Sequence, residues 1–244
     1  MKTLALLLFL GLAGVAGAQD TLSIRNGSSP WTISLVGGVD HNTLDVDVAY
    51  ATDYHYEGRN AFLAGVDAVY DLNLPISGKS FLIPDFSLRG ELLLIQKNYK
   101  FYRMAGDINY LHDIHTNNYL NIPLMAQISW GDVFHVNAFG GFYLGYWLSG
   151  RQSGRTLSLD MLAYEEEENT YYDQPYEFNA RRDNRFDAGW VYGAGVGVSL
   201  GRIDINVDLR WFYALTDIQK QYMLFQNPRY NTTFAFTAGA GFHF

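Results

Sequence analysis

Apolar and polar residues alternate without a break through "YNTTFAFTAGAGFHF", residues 230–244. The even positions, Tyr230, Thr232, Phe234, Phe236, Ala238, Ala240, Phe242 and Phe244, form one apolar, partly aromatic face. The odd positions, Asn231, Thr233, Ala235, Thr237, Gly239, Gly241 and His243, are small or polar. A period of two belongs to a β-strand with two chemically different faces.

Seven further segments share this grammar. In "IDINVDLRWFYALTDI" the odd face is Ile203, Ile205, Val207, Leu209, Trp211, Tyr213 and Leu215, against Asp204, Asn206, Asp208 and Arg210. In "RFDAGWVYGAGVGVSL" the even face carries Phe186, Trp190, Tyr192, Val196, Val198 and Leu200, against Arg185, Asp187 and small residues. "VFHVNAFGGFYLGYWLSG" sets Phe134, Val136, Phe142, Leu144, Tyr146 and Leu148 against His135, Asn137, Phe139, Tyr143, Trp147 and glycines. "NNYLNIPLMAQISW" sets Leu120, Ile122, Leu124, Ile128 and Trp130 against Asn121, Pro123, Gln127 and Ser129. "DFSLRGELLL" places Phe86, Leu88, Leu92 and Leu94 opposite Asp85, Ser87, Arg89 and Glu91. "AFLAGVDAVYDL" places Phe62, Val66, Tyr70 and Leu72 opposite Asp67 and Asp71, and "WTISLVGGV" offers Trp31, Ile33, Leu35 and Val39. The pattern predicts eight strands.

Alternation alone does not say which face is the core. A soluble sheet buries its apolar face and wets the polar one; a membrane barrel turns its apolar face to lipid and its polar face inward. Three features favour the barrel. Connectors alternate in length: "GD" and "GR" are short, while the stretches 41–57, 98–116, 150–184 and 217–229 read as long loops. Short turns on one rim and long loops on the other are the outer-membrane arrangement. The stretch "NLPISGKSFLIP" is longer than that scheme asks of its rim. The aromatic residues of the apolar face gather near its ends: Trp31, Tyr70, Trp130, Phe242 and Phe244 at one rim, Tyr146, Trp190, Trp211, Tyr213 and Tyr230 at the other. Two aromatic belts suit the two membrane–water boundaries. The polar face carries both signs of charge, Asp67, Arg89, Glu91, Arg185, Asp187, Asp204, Asp208 and Arg210, which a narrow lumen must pair into one interior network. The expected fold is all-β: an eight-stranded antiparallel transmembrane β-barrel whose last strand closes on its first.

Composition sharpens this. Lys2, an apolar run and Ala16-Gly17-Ala18 predict a cleaved signal peptide over residues 1–18, leaving 19–244 as the barrel domain in a bacterial outer membrane. No later stretch is long and apolar enough for a transmembrane helix. The chain has no cysteine, so stability must come from a large core or from a membrane. Seventeen basic residues less Lys2 leave 16 against 25 acidic ones, a balance that gives nucleic acid no basic footprint.

Candidate chemistry is sparse. His112, Asp113 and His115 lie within four residues and read as decoration of an outward loop rather than a metal site, which needs more ligands. His135 and His243 are on inward faces, where they either approach across the barrel or join its hydrogen-bond network. No catalytic, cofactor-binding or metal constellation is predicted, and no Gly-x-Ser-x-Gly, P-loop or dinucleotide fingerprint occurs. Residues 150–184 are acidic and tyrosine-rich ("YEEEENTYYDQPYEF"), which suits either a solvated loop or contact with an envelope protein partner.

"NNYLNIPLMAQISWGDVFHVNAFGGFYLGYWLSG" resembles the "YLEIPLLLK…GPYLGYLLSG" core of the PorT-like outer-membrane β-barrel family of Bacteroidetes-type bacteria, and "NRFDAGWVYGAGVGV" is similar to its "DFG…GAGVG" segment. Asn121 stands where that family often has an acid, and Ala188-Gly189 replaces an aromatic–Gly pair. The resemblance implies a small OmpA/OmpX-like barrel contacting outer-membrane lipid. It also implies that Phe236, Phe242 and Phe244 form the C-terminal signal read by the barrel-assembly machinery. The expected role is non-enzymatic: surface interaction, anchoring, or a part of an envelope or secretion assembly. A small channel and a lipid-modifying enzyme remain as alternatives.

Overall fold

The computed structural model describes residues 30–46, 54–72, 84–105, 108–157, 169–224 and 226–244. The segment assigned to a signal peptide lies outside them. Their strands are β1 (Trp31–Val46), β2 (Tyr54–Asp71), β3 (Asp85–Gln96), β4 (Tyr99–Ala105), β5 (Ile108–Trp130), β6 (Phe134–Leu157), β7 (Asn169–Pro175), β8 (Phe186–Leu200), β9 (Ile203–Ala214) and β10 (Arg229–His243). Eight of them form a closed antiparallel ring in the order β1-β2-β3-β5-β6-β8-β9-β10. The ring shuts along a ladder from Thr32↔His243 to Val46↔Arg229, and the Phe244 amide donates to the Trp31 carbonyl at 3.2 Å. The two extra strands lie in line with members of the ring. β4 resumes the path of β3 after a break at Lys97-Asn98, between the same neighbours β2 and β5. β7 pairs with β6 beyond the stretch that β8 occupies.

The faces are inverted relative to a soluble fold. Leu35 and Phe62 on the outer surface are each 71% exposed, while Asp67, Arg89, Glu91 and Arg210 are buried in the lumen. A large apolar surface around the ring together with a buried charged interior is the arrangement of a barrel solvated by lipid. No helix among the described residues is long and apolar enough to cross a membrane; the strands make the crossing.

The loop boundaries need correction. β1 runs to Val46, β4 and β5 occupy much of 98–116, and β6 with β7 fills 150–157 and 169–175. Hydrophobic alternation fades there because both faces leave the lipid, but backbone pairing does not depend on it and continues. Residues 217–224 and 226–228 stay largely irregular, tied down by Ile218 N–H to the Arg229 carbonyl at 3.0 Å. The "GD" and "GR" turns are tight, with Gly131 at φ 106° and Gly201 at φ 68°. Most of "NLPISGKSFLIP" lies outside the described residues.

Gly141 marks a close strand approach. A Cβ there would sit 2.0 Å from the Leu124 carbonyl oxygen and 2.7 Å from Met125 Cα, both backbone atoms that have nowhere to go. Gly141→Val is therefore expected to abolish the cold-SDS gel-mobility shift that marks a closed barrel. Gly201→Ala meets no atom within 4 Å and strains only one left-handed residue. It should keep the shift and cost about 1 kcal/mol in urea unfolding.

Candidate functional site: the filled lumen and its rims

The inward side chains stack in layers. At mid-height Arg89 of β3 reaches Asp67 Oδ2 of β2 at 3.0 Å, Glu91 Oε1 at 3.0 Å and Asp208 Oδ2 of β9 at 2.8 Å. Arg210 of β9 answers with Glu91 Oε2 at 2.7 Å and Asp208 Oδ2 at 2.8 Å. Two guanidiniums and three carboxylates thus bridge the lumen from wall to wall, and Phe139 of β6 lies under both, with ring-centroid distances of 4.9 and 5.6 Å. Planar guanidinium groups suit this role because several donors can meet carboxylates from different strands at once.

Toward the long-loop rim, Tyr143 and Phe212 meet edge to face at 5.5 Å and Tyr119 stacks on Trp147 at 5.8 Å. Lys97 Nζ is held by Asp187 at 2.5 Å and lies over Tyr143 at 4.7 Å and Tyr119 at 5.2 Å. Above it Asn42 donates to Asn231 at 3.2 Å and accepts from Thr233 at 2.7 Å. Toward the short-turn rim a cavity of about 40 Å³ is lined by Ser34, Asp67, Arg89, Asn137, Asp204 and Asn206.

Seven of the eight inward charges chosen from the sequence are buried, but they do not form one network. Asp67, Arg89, Glu91, Asp208 and Arg210 come together. Asp187 pairs instead with Lys97, which sequence reasoning missed because it falls in the β3–β4 break. Asp204 lines the lower cavity and makes no ion pair among the described residues. Arg185 is a correction: one residue before β8, it escapes the inward parity and stacks over Tyr146 at 4.6 Å and Phe178 at 4.1 Å. His135 bonds Asn206 at 2.8 Å and His243 bonds Thr32 at 2.9 Å, each on a neighbouring part of the wall. His112, Asp113 and His115 are strand residues of β5 rather than loop. His115 Nε2 lies 3.0 Å from Asp113 Oδ2, its ring stacks on Tyr99 at 4.6 Å, and no group of three or more metal-ligating residues occurs among the described residues.

On the outer surface Trp31 and Tyr70 touch at 4.8 Å near the short turns, where Trp130, Phe242 and Phe244 also lie. Trp190 and Tyr213 are cross-strand partners nearer the long loops, with Tyr146 and Tyr230. Trp211 sits lower, between Tyr192 at 6.0 Å and Phe234 at 4.6 Å. Phe236, Phe242 and Phe244 all point outward and are about half exposed. Beyond the lipid-facing zone, Arg151 grips Asp173 of β7 through two bonds of 2.6 and 2.8 Å, and Glu57 accepts from Tyr102 at 2.9 Å and from Lys100 at 3.4 Å. The Arg151 hydrogen bonds hold the Asp173 carboxyl below its ordinary range.

Residues 18–220 match the family model described as outer membrane protein beta-barrel domain, and the chain belongs to that family; it is a protein of the bacterial outer membrane. Similar solved structures include Ail, the attachment invasion locus protein of Yersinia pestis, at 12% identity, covering 86% of this chain and 98% of Ail with a TM-score of 0.37. Neisserial surface protein A is 11% identical, with 87% and 97% coverage and a TM-score of 0.42. OprG from Pseudomonas aeruginosa is 10% identical, with 89% and 99% coverage and a TM-score of 0.44. No curated protein sequence matches.

Removing one partner of the mid-height cluster strands the others in the lumen. Arg210→Met leaves Glu91 and Asp208 each short of one cation and is expected to cost about 3–5 kcal/mol. The exposed Lys100→Ala should cost about 1 kcal/mol or less. Urea unfolding in lipid vesicles checks both. The depressed Asp173 pKa stabilises the β6–β7 contact above the ordinary carboxylate pKa, and that contribution is lost as pH falls through the lower folded value. The protection of β7 amides, taken relative to the intrinsic exchange rate at each pH, should accordingly be high at neutral pH and fall in acid, and Asp173→Asn should remove that fall.

Proposed function

We propose that this outer-membrane barrel is a non-enzymatic surface-contact protein, anchored in lipid by a filled stave ring and offering its extracellular strand extensions to another envelope or surface protein. The filled lumen carries this reading. A channel needs a continuous wet path, whereas here the arginine–carboxylate cluster and the Tyr119–Tyr143–Phe212–Trp147 layer occupy successive heights. Strand length supports it too. A membrane crossing takes about 9–11 residues, yet β5 has 23 and β6 has 24. The excess stands outside the lipid as a paired, tyrosine-bearing sheet, an ordered surface of the kind that suits protein contacts. Residues 117–150 and the Gly193–Gly197 "GAGVG" run support a finer affiliation with PorT-like barrels of Bacteroidetes-type bacteria, and through it a place in an envelope or secretion assembly. Export by the signal at 1–18 and assembly through Phe236, Phe242 and Phe244 belong to the same proposal.

A photocrosslinking side chain at position 171, where Tyr171 is 73% exposed, tests it in intact cells. A discrete protein adduct is expected from that position, and none from position 35 on the lipid face. In planar bilayers the purified barrel should give no reproducible conductance. Steady conductance steps without an adduct would replace the contact role with a channel.

A further inference from the structure

Arg181, Arg185 and Lys220 make no ion pair among the described residues, although the chain carries a formal net charge of −8. Backbone carbonyls hold two of them in place. Arg185 donates to Trp147 O at 2.9 Å and Leu148 O at 3.0 Å, and Lys220 donates to Ala180 O at 2.9 Å. Each has further N–H donors with no partner among the described residues, since a guanidinium has five and an ammonium three. The two loops that carry these cations are locked together. Lys220 N–H bonds Arg182 O at 2.7 Å, Asn184 N–H bonds Ile218 O at 3.0 Å, and the Asn184 side chain bonds Asp217 O at 2.8 Å. Two described acids of these loops are already engaged: Asp183 by Arg182 and Tyr176, Asp217 by the amides of Gln219 and Arg229. Glu177 is the exposed acid of the stretch.

Directly below lies the upper aromatic rim of the lipid-facing surface. Arg185 covers Tyr146, whose cross-strand partner is Phe186, and Trp190, Tyr213 and Leu215 continue the apolar column of β8 and β9. Two residues after Lys220 the chain presents Tyr222, Met223 and Leu224 to solvent, Leu224 at 91% exposure. Such an apolar tip is unfavourable in water and favourable in acyl chains. Cations that no described acid pairs, above an apolar, aromatic-edged surface, match the layering of a leaflet, where anionic headgroups sit above hydrocarbon.

We infer that this sector of the rim docks an outer-leaflet lipid whose phosphate headgroup is net anionic, with no choline or amine to neutralise it: Arg181, Arg185 and Lys220 receive the phosphate, and Tyr222–Leu224 enters the acyl layer. Arginine forks and a lysine point charge are the groups suited to phosphate oxygens. Because the loops are cross-bonded in advance, little ordering opposes binding. Only the headgroup at this place is chosen, since the rest of the outer surface is generic to lipid.

The test uses the folded full barrel in zwitterionic detergent micelles, titrated with dioleoyl phosphatidic acid or dioleoyl phosphatidylcholine, with retained lipid counted by native mass spectrometry. Phosphatidic acid should be retained and phosphatidylcholine should not. The R181Q/R185Q/K220Q variant should bind phosphatidic acid at least tenfold more weakly, Glu177→Gln more tightly, and Arg202→Gln, on the opposite rim, unchanged. Equal retention by wild type and triple variant, or equal retention of both lipids, overturns the inference. Displacement by equimolar inorganic phosphate does so too, because it makes the site one for free phosphate. The cold-SDS shift reports folding of each variant. If the triple variant does not fold, Leu224→Asp, whose side chain is almost free of contact with the rest of the protein, carries the same test: weaker retention supports the site and unchanged retention overturns it.

Discussion

Every backbone N–H and C=O that enters lipid must find its partner within the protein, because hydrocarbon offers none. The rest of this structure follows from that requirement. A sheet with an open edge fails it, so the ladder between β1 and β10 has to form along its whole length, from Thr32↔His243 to Val46↔Arg229. Closing eight strands brings their inner faces so near that side chains must fill the space, and the outer faces are left to hydrocarbon. Apolar residues therefore go out and polar residues in, the reverse of a soluble sheet. Regular alternation to Phe244 is the price of the last strand being half of the closure.

Filling such a lumen with charge is stable only where the charges meet. A lone buried guanidinium is costly to desolvate, whereas one ringed by carboxylates recovers much of that cost. Arg89 and Arg210 share Asp208 and Glu91 from opposite walls, so the cluster acts as a cross-brace as well as a charge balance. Three carboxylates face two guanidiniums, and the one at the lower edge, Asp67, also lines the cavity below. A cavity large enough for water and edged with polar atoms is where an excess charge is least expensive. Lys97 and Asp187 repeat the same solution higher up with one charge of each sign, capped by tyrosine rings that tolerate a cation against their faces.

Where lipid bathes one face and the lumen bounds the other, both parities of a strand are under chemical constraint, and the sequence shows it. Phe62, Val66 and Tyr70 against Asp67, or Ile205, Leu209 and Tyr213 against Asp204 and Asp208, leave little room for another register. Past the lipid both faces meet water. The pressure on residue type lapses while the hydrogen-bond ladder continues, so β4, β7 and the upper parts of β5 and β6 carry little apolar–polar alternation to mark them as strands. The inward parity of Asn121 and Asn117 does carry on through His115 and Asp113, a signal that could have placed that cluster on a strand. Lys97 was hidden because it sits in the break between β3 and β4, where parity is reset. Arg185 misled for the related reason that a residue just outside a strand does not inherit the strand's facing.

These constraints also determine where function can reside. The lipid-facing surface is committed to solvation by hydrocarbon, and the lumen is committed to bracing the ring. A ligand in either place would have to displace an interaction that closure depends on. The extracellular extension has no such duty. Its strands are paired well enough to be ordered, through bonds such as Arg151 to Asp173 and Tyr102 to Glu57, yet they answer to water on both sides. Side chains there are free to be selected for contact, and the tyrosines of β7 together with Arg181, Arg185 and Lys220, which make no ion pair among the described residues, are the ones the fold leaves uncommitted. The barrel is the part whose chemistry is dictated by the membrane, and the rim above it is the part whose chemistry is open to a partner.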